Sequence, residues 1–431
     1  MKITRTIGLL SVLPLLAAGD RDIRLIDVAP GHFHAAEVHT RMIEGVSNEA
    51  HIYSPLGPEL NLHLEAIAAF NSRVKNPTSW ALRIFAGTGY LDQLQKEPPG
   101  NIVVLSGRNS KKIDVVLTAL RGGQHVLVDK PWILEAADLP KLEQALHLAR
   151  QSNLAAVDGM TLRYGLAYQV LRELVRDPAV FGQPVKGTPE DPAVQLENGH
   201  AILKFSDGKV RRRPGWFFDI GEQGEGIADV GTHLVDLALW TLFSDRLPEA
   251  KVVKASRMAL FITGPQFAQV TGEVAWPPYL QAAVRGGVLS YFSNSDAMIQ
   301  AGGVNIGVKV RWKYESAAGG HDTYLTSYRG TRATVQVKDG TELTVAGAVG
   351  EALRARIAAL KIAGLRVIEV DGGHFRVQIP QQDEQEDFVR IARDMVKRIQ
   401  SGRPAASEEW ELSCMLLKYR LTTASVAMGR Q

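Results

Sequence analysis

The chain has 431 residues, 45% hydrophobic and 22% charged, a balance that excludes a disordered or fibrous protein, and its length exceeds what one hydrophobic core organises. With 49 basic against 46 acidic residues the formal charge is +3, so no global field favours nucleic acid or an anionic membrane. The single cysteine, Cys414, excludes an internal disulfide and a cysteine-based zinc site, and its apolar helical setting marks it as core.

In chain order, Lys2 and Arg5 precede an uncharged run, 6–19, that closes on Ala17, Ala18 and Gly19, the pattern of a secretory signal peptide over residues 1–20. The run is too short for a membrane span. It predicts a periplasmic or secreted protein, with a ragged start to a cytoplasmic protein as the alternative. Without a twin arginine, a cofactor would be acquired outside or held very tightly.

Residues 21–158 alternate short β-branched or apolar runs with amphipathic segments, as a doubly wound parallel sheet with crossover helices requires. Strands are predicted near 23–28, 51–53, 83–86, 102–106, 125–128 and 154–158. Helices are predicted over 111–121, capped by Gly122 and Gly123, and over 135–151. From residue 159 to 386 the rhythm changes. A helix over 166–176 and a linkage rich in proline and glycine lead into strands. In the clearest of these, 303–314, Val304, Ile306, Val308, Val310 and Trp312 alternate with Asn305, Gly307, Lys309, Arg311 and Lys313. This predicts an α+β domain on an open, mostly antiparallel sheet with one wet face and helices on the other. Further strands are expected over 331–337, 342–345 and 375–379. The basic run 209–213 reads as a solvated strand end. Two helices, 384–401 and 407–428, close the chain, and the segment 387–431 is expected to pack back on both domains.

The first strand runs into Ala29-Pro30-Gly31-His32-Phe33-His34 and a helix start. This geometry turns backbone amides and a helix dipole toward a dinucleotide's pyrophosphate, so Gly31, His32, Phe33 and His34 are candidate cofactor-binding residues. The usual G-x-G-x-x-G survives only as Ala29-x-Gly31-x-x-His34. Where an acid would normally grip the ribose after the second strand, the chain offers Ser54, which leaves NAD or NADP open.

The fifth strand ends in Asp129-Lys130-Pro131-Trp132, an acid and an ammonium at the carboxyl edge of the sheet, where such folds bind ligands. Further on, Asp229, His233 and Asp236 stand at i, i+4 and i+7 of an apolar helical stretch, 224–240. A buried polar stripe of this kind is a candidate site of shifted pKa values.

These two stretches resemble the Gfo/Idh/MocA family of oxidoreductases, which includes glucose–fructose oxidoreductase and inositol dehydrogenase. Asp129 stands where the family's E-K-P segment carries glutamate. The resemblance implies a Rossmann domain, a nicotinamide cofactor, which members of this family can hold tightly, and a carbohydrate substrate. It makes Lys130, Asp229 and His233 catalytic: His233 or Lys130 takes the hydroxyl proton, Asp229 fixes the imidazole and Lys130 polarises the oxyanion. It adds Ser106, Asn109, Asp129 and Trp132 to the cofactor site. Arg163, Tyr164 and Asp236 go to the substrate side, with Trp216 as an aromatic sugar contact or a core residue. It also implies a homo-oligomer formed through the second sheet. Two other readings stand beside it. One is a carbohydrate-binding protein without cofactor turnover, motivated by the degraded glycine loop. The other is a divalent-metal hydrolase or isomerase using His32, His34 and His233, although no third ligand to complete an Asp–His metal site is evident.

Overall fold

The computed structural model describes residues 22–206, 208–316, 322–381, 386–402 and 409–431. The expected signal peptide lies outside the described residues. No helix among the described residues is long and apolar enough to cross a membrane.

Six strands, β1 (Leu25–Val28), β2 (Glu49–Ser54), β3 (Ala81–Ala86), β4 (Ile102–Leu105), β5 (His125–Val128) and β6 (Ala156–Asp158), form a parallel sheet in the order β3-β2-β1-β4-β5-β6. β1, β4 and β5 are buried throughout, because a parallel sheet is covered on both faces. Ile26, Val103, Val126 and Val128 pack against helices α4 (Lys112–Arg121) and α5 (Leu139–Gln151). Leu25, Ile52, Val104 and Leu127 pack on the opposite face with Leu60 and Ile67 of α2 (Pro58–Ser72). Each such fully buried aliphatic side chain stabilises the fold by about 1.5–3 kcal/mol. The strand order reverses between β1 and β4, and this switch point opens a crevice at the carboxyl ends of the strands.

The helix expected after β1 is a single turn, α1 (His34–Glu37). The chain leaves it because His39 folds under β1, where its Nε2 meets Asp27 Oδ2 at 2.8 Å. Between β3 and β4 lies another short helix, α3 (Tyr90–Leu94).

Helix α6 (Leu166–Val175) leads into a second sheet built from β7 (Val194–Ala201), β10 (Ala250–Thr263), β12 (Val288–Ala301), β13 (Val304–Lys313), β14 (Thr323–Arg329), β15 (Thr334–Lys338), β16 (Glu342–Ala346), β17 (Arg366–Asp371) and β18 (His374–Gln378). Its order is β10-β12-β13-β7-β14-β15-β16-β18-β17, antiparallel throughout except where β13 runs parallel to β7. Short pieces complete it: the β8–β9 pair (Phe205–Ser206, Lys209–Val210) and β11 (Val284–Arg285) beside β12. On β13 the predicted alternation holds, with Val304, Ile306, Val308, Val310 and Trp312 all buried. The opposite face is not wet along its whole length, because Asn305 donates to the carbonyls of Lys186 and Gly187 in an overlying loop. Helices α7 (Gly226–Asp229) and α8 (Gly231–Leu242) join α6 in the core of this domain.

The two terminal helices return to the first sheet. Val389, Ile391, Met395 and Val396 of the segment Asp387–Gln400 join the cluster on the α2 face, while Leu412, Met415 and Tyr419 of Glu409–Gly429 join the α4/α5 face. Cys414 is a free, buried thiol in the core of the second domain, as its setting predicts.

Candidate active site

The crevice is built from loops at the ends of β1, β4 and β5. Ala29 sits at φ 46°, a left-handed conformation that glycine adopts freely and that costs alanine about 1–2 kcal/mol. The backbone thus keeps the turn of a glycine-rich loop although the first glycine has gone. Gly107 makes the opposite wall: a Cβ there would stand 2.4 Å from the Ala29 carbonyl oxygen. The amides do not serve as the sequence pattern predicts. Gly31 and His32 both donate to the Ser106 carbonyl, at 3.0 and 3.1 Å, and with α1 reduced to one turn no amide-and-dipole cradle forms there.

At the end of β5, Asp129 Oδ2 accepts from Ser106 Oγ at 2.9 Å and lies 3.0 Å from His34 Nδ1 and 3.5 Å from His32 Nδ1. Its Oδ1 is buried without a hydrogen-bond partner. Lys112 donates to the Asp129 carbonyl at 2.7 Å.

The next residue, Lys130, crosses to the second domain, where its Nζ donates to Asp229 Oδ1. Both side chains are nearly buried. Burial by itself would lower the Lys130 pKa, but the carboxylates of Asp229 and Asp129 outweigh it and hold the ammonium above its ordinary value. Burial would likewise raise Asp229, and the charge of Lys130 overrides it, keeping the carboxyl below its ordinary range.

The stretch expected as one helix is divided at Val230, with Asp229 ending α7 and His233 in the first turn of α8. Asp229 is therefore committed to Lys130 and does not orient the imidazole, a correction to the expected role. His233 is buried and its Nδ1 has no hydrogen-bond partner. Burial, reinforced by the charge of Lys130, pushes its pKa down to about 3. The imidazole is thus neutral beside a permanent cation. Its C–H resonances are expected to show no protonation shift between pH 8 and 5, which a proton NMR titration against His233→Gln checks; a midpoint near 6.5 would contradict this environment.

Other candidates lie elsewhere. Arg163 and Asp236, expected at the substrate, hold each other: Nε–Oδ2 is 2.6 Å and the second guanidinium bond 2.7 Å. Lys418 and Glu411 complete that network. Tyr164 lines a cleft together with Arg163, Asp158, Arg398 and Lys418. Trp216 is buried against Gly31, donates to Glu59 Oε1 at 3.1 Å and lies under Arg108; it seals the domain seam, the core alternative, and presents no face to a sugar. Trp132 is wholly buried in the α4/α5 cluster, with its Nε1 lacking a hydrogen-bond partner. Ser54 is buried and donates to the Pro55 carbonyl. Asn109 ties the first domain to the second through the carbonyls of Glu222 and Gln223, and its Oδ1 is buried without a partner. Phe33 stands half exposed, with the Arg211 guanidinium 3.5 Å from its ring centre.

Arg211 belongs to the basic run read as solvated, and so does Arg213, which lies 4.4 Å over the Phe217 ring and donates to Ala201 and Ile202 carbonyls. Sequence reasoning also missed His200 and Asp322. His200 Nδ1 lies 2.7 Å from Asp322 Oδ1, Lys204 binds the same carboxylate at 2.6 Å, and Trp312 packs on the imidazole at 4.6 Å. A signal was present: Val194, Leu196, Asn198 and His200 share one side of β7, and a polar pair continuing an apolar face needs a reason.

Three comparisons bear on this geometry. Residues 170–430 match the family described as "Putative oxidoreductase C terminal domain". The chain is similar to the crystal structure of a "putative oxidoreductase" from Parabacteroides merdae, 32% identical over 95% of this chain and 98% of that one, with a TM-score of 0.89. Levoglucosan dehydrogenase in complex with NADH and levoglucosan shares the fold at 14% identity and a TM-score of 0.63, over 95% and 98% of the two chains. Trans-1,2-dihydrobenzene-1,2-diol dehydrogenase of Xenopus laevis is 25% identical over 167 residues, 37% of this chain and 49% of that protein. The chain spans about half the length of the curated relatives it matches.

Proposed function

This chain belongs to the family of that oxidoreductase C-terminal domain and is an oxidoreductase of the Gfo/Idh/MocA type, and we propose that it moves hydride between a nicotinamide cofactor and a secondary alcohol of a sugar or glycoside. The observation that carries this reading is the buried Lys130–Asp229 pair, one partner from each domain, beside a neutral His233 with an unsatisfied nitrogen. In a low-dielectric crevice, the Lys130 ammonium offers its charge to the oxygen that becomes alkoxide, while His233 Nδ1 receives the hydroxyl proton. Asp229 keeps the ammonium charged and in place.

The buried Oδ1 of Asn109, at the seam of the two domains, suits the ribose or carboxamide of a nicotinamide cofactor, which supplies the hydride acceptor when bound. Levoglucosan dehydrogenase, of the same fold, is a complex with NADH. The choice between NAD and NADP stays open in this proposal, as does a tightly held cofactor giving redox-neutral chemistry through a keto-sugar. The same reading makes 21–158 the cofactor domain, 159–386 the substrate domain and 387–431 their clasp, in an exported homo-oligomer that pairs through the second sheet.

The inward-turned amides of Gly31 and His32 favour one other reading, a carbohydrate-binding protein without cofactor turnover. A glycoside panel incubated with the protein and each cofactor, read by mass spectrometry, separates the two. Keto-sugar products, with nicotinamide absorbance retained on the protein or taken up on addition, are expected. Glycoside binding with neither cofactor uptake nor any keto product would leave only the second reading.

A further inference from the structure

The hydride-transfer reading uses Lys130, Asp229 and His233 and leaves His32, His34 and the free oxygen of Asp129 without a task. We infer that His32, His34 and Asp129 form a site for one divalent transition ion, of the zinc or cobalt class, at the mouth of the crevice. This assignment stands apart from hydride transfer and does not require it.

One ligand atom from each of the three residues lies within 4.8 Å of the others. A tetrahedral ion with bonds of about 2 Å sets its ligand atoms about 3.4 Å apart, so small rotations of two imidazoles complete the set. His34 Nδ1 at 3.0 Å and His32 Nδ1 at 3.5 Å point at one carboxylate, and the second distance is too long for a good hydrogen bond. The other oxygen of the same carboxylate, Oδ1, is buried without a hydrogen-bond partner. The two neighbouring ammoniums are engaged by other groups. The Lys130 ammonium is bound to Asp229, and Lys112 donates to the Asp129 backbone carbonyl. The His34 proton moves to Nε2 on binding, with Glu37 Oε2 4.0 Å from that nitrogen. Three protein ligands leave a fourth position open for water or a substrate oxygen.

Asp27, His39 and His63 form the other such group among the described residues, where Asp27 Oδ1 and His39 Nδ1 likewise lack hydrogen-bond partners. Asp27 Oδ2 accepts from His39 Nε2 at 2.8 Å and His63 Nε2 at 3.0 Å, and the three side chains are sealed from solvent. His32 and His34, by contrast, are partly exposed to an incoming ion, and that difference in access supplies the control.

The test treats the full chain with chelator, removes the chelator, and titrates with cobalt(II) alone. One equivalent is expected to bind with visible absorption of tetrahedral intensity and to be displaced by zinc. His34→Ala and the gentler His34→Gln are each expected to weaken binding about 100-fold or more, while His63→Ala leaves it unchanged. No stoichiometric cobalt binding by the parent protein would overturn the assignment, whatever the variants do. So would binding that survives both His34 changes, or that disappears in His63→Ala. None of these readings depends on sugar turnover.

Discussion

Lys130→Met is expected to lower turnover of a glycoside substrate by about 10³-fold, because it removes the charge that meets the developing oxyanion. The same change strands the Asp229 carboxylate, whose bond to Lys130 is its ion pair in a buried seam. Removing one member of such a pair costs about 3–5 kcal/mol, so the single variant is expected to be less stable as well as inactive. The double variant Lys130→Met, Asp229→Asn separates the two effects, restoring most of the stability and none of the turnover. Chemical denaturation and steady-state rates on the three proteins check this. Turnover of the single variant at the parental rate would remove Lys130 from the chemistry.

Asp229→Asn carries a pH signature. In the parent protein the carboxylates hold the Lys130 pKa above its ordinary value, against burial. Asparagine removes the largest opposing charge, burial gains ground and the pKa falls. Activity that needs the ammonium is then lost, as pH rises, at a lower pH than in the parent. The high-pH limb of kcat/KM is expected to move toward neutrality, while a merely structural role for Asp229 would scale the profile without moving it.

The sheet of the first domain was legible because its strands are short runs of continuous apolar residues, such as Ile102 to Leu105, that have no purpose outside a doubly covered parallel sheet. β13 was legible because its alternation has period two. Lys130 and Asp229 could be singled out from local pattern, and the resemblance brought them together, although 99 residues separate them. Arg163 and Asp236 were misplaced for the converse reason. Each has the composition of a ligand-binding residue, and nothing local to either announces that the other, 73 residues away, satisfies it. Trp216 shows the same limit, since an indole reads alike whether it faces a sugar or a domain seam. The split of the Asp229/His233 helix at Val230 redirected Asp229 toward Lys130, which a continuous helical wheel does not anticipate.

Asp236→Ala is expected to be the most destabilising single change in the molecule's polar interior. Asp236 binds Arg163 through both oxygens and also accepts from Lys418 at 3.0 Å, so its removal leaves a guanidinium and a nearly inaccessible ammonium competing for Glu411 and Asp158. A loss of about 3–5 kcal/mol follows, seen as a fall in Tm. Lys418→Met should cost less. The two carboxyls it exposes are not alike: burial already lifts Asp158 above the ordinary range, so it can accept a proton, while Arg163 still pairs with Asp236. The network also reaches the reacting centre, since the Tyr419 hydroxyl donates to Asp158 and accepts from the Trp132 amide two residues beyond Lys130. Burial would raise Asp236, but Arg163 and Lys418 bring its pKa down to about 2. Its contribution is therefore complete above the unfolded value near 4 and is lost as pH falls from there toward 2. Asp236→Asn should flatten that acid limb of the stability curve; an unchanged slope between pH 4 and 2 would show that the carboxylate is not the anchor its hydrogen bonds describe.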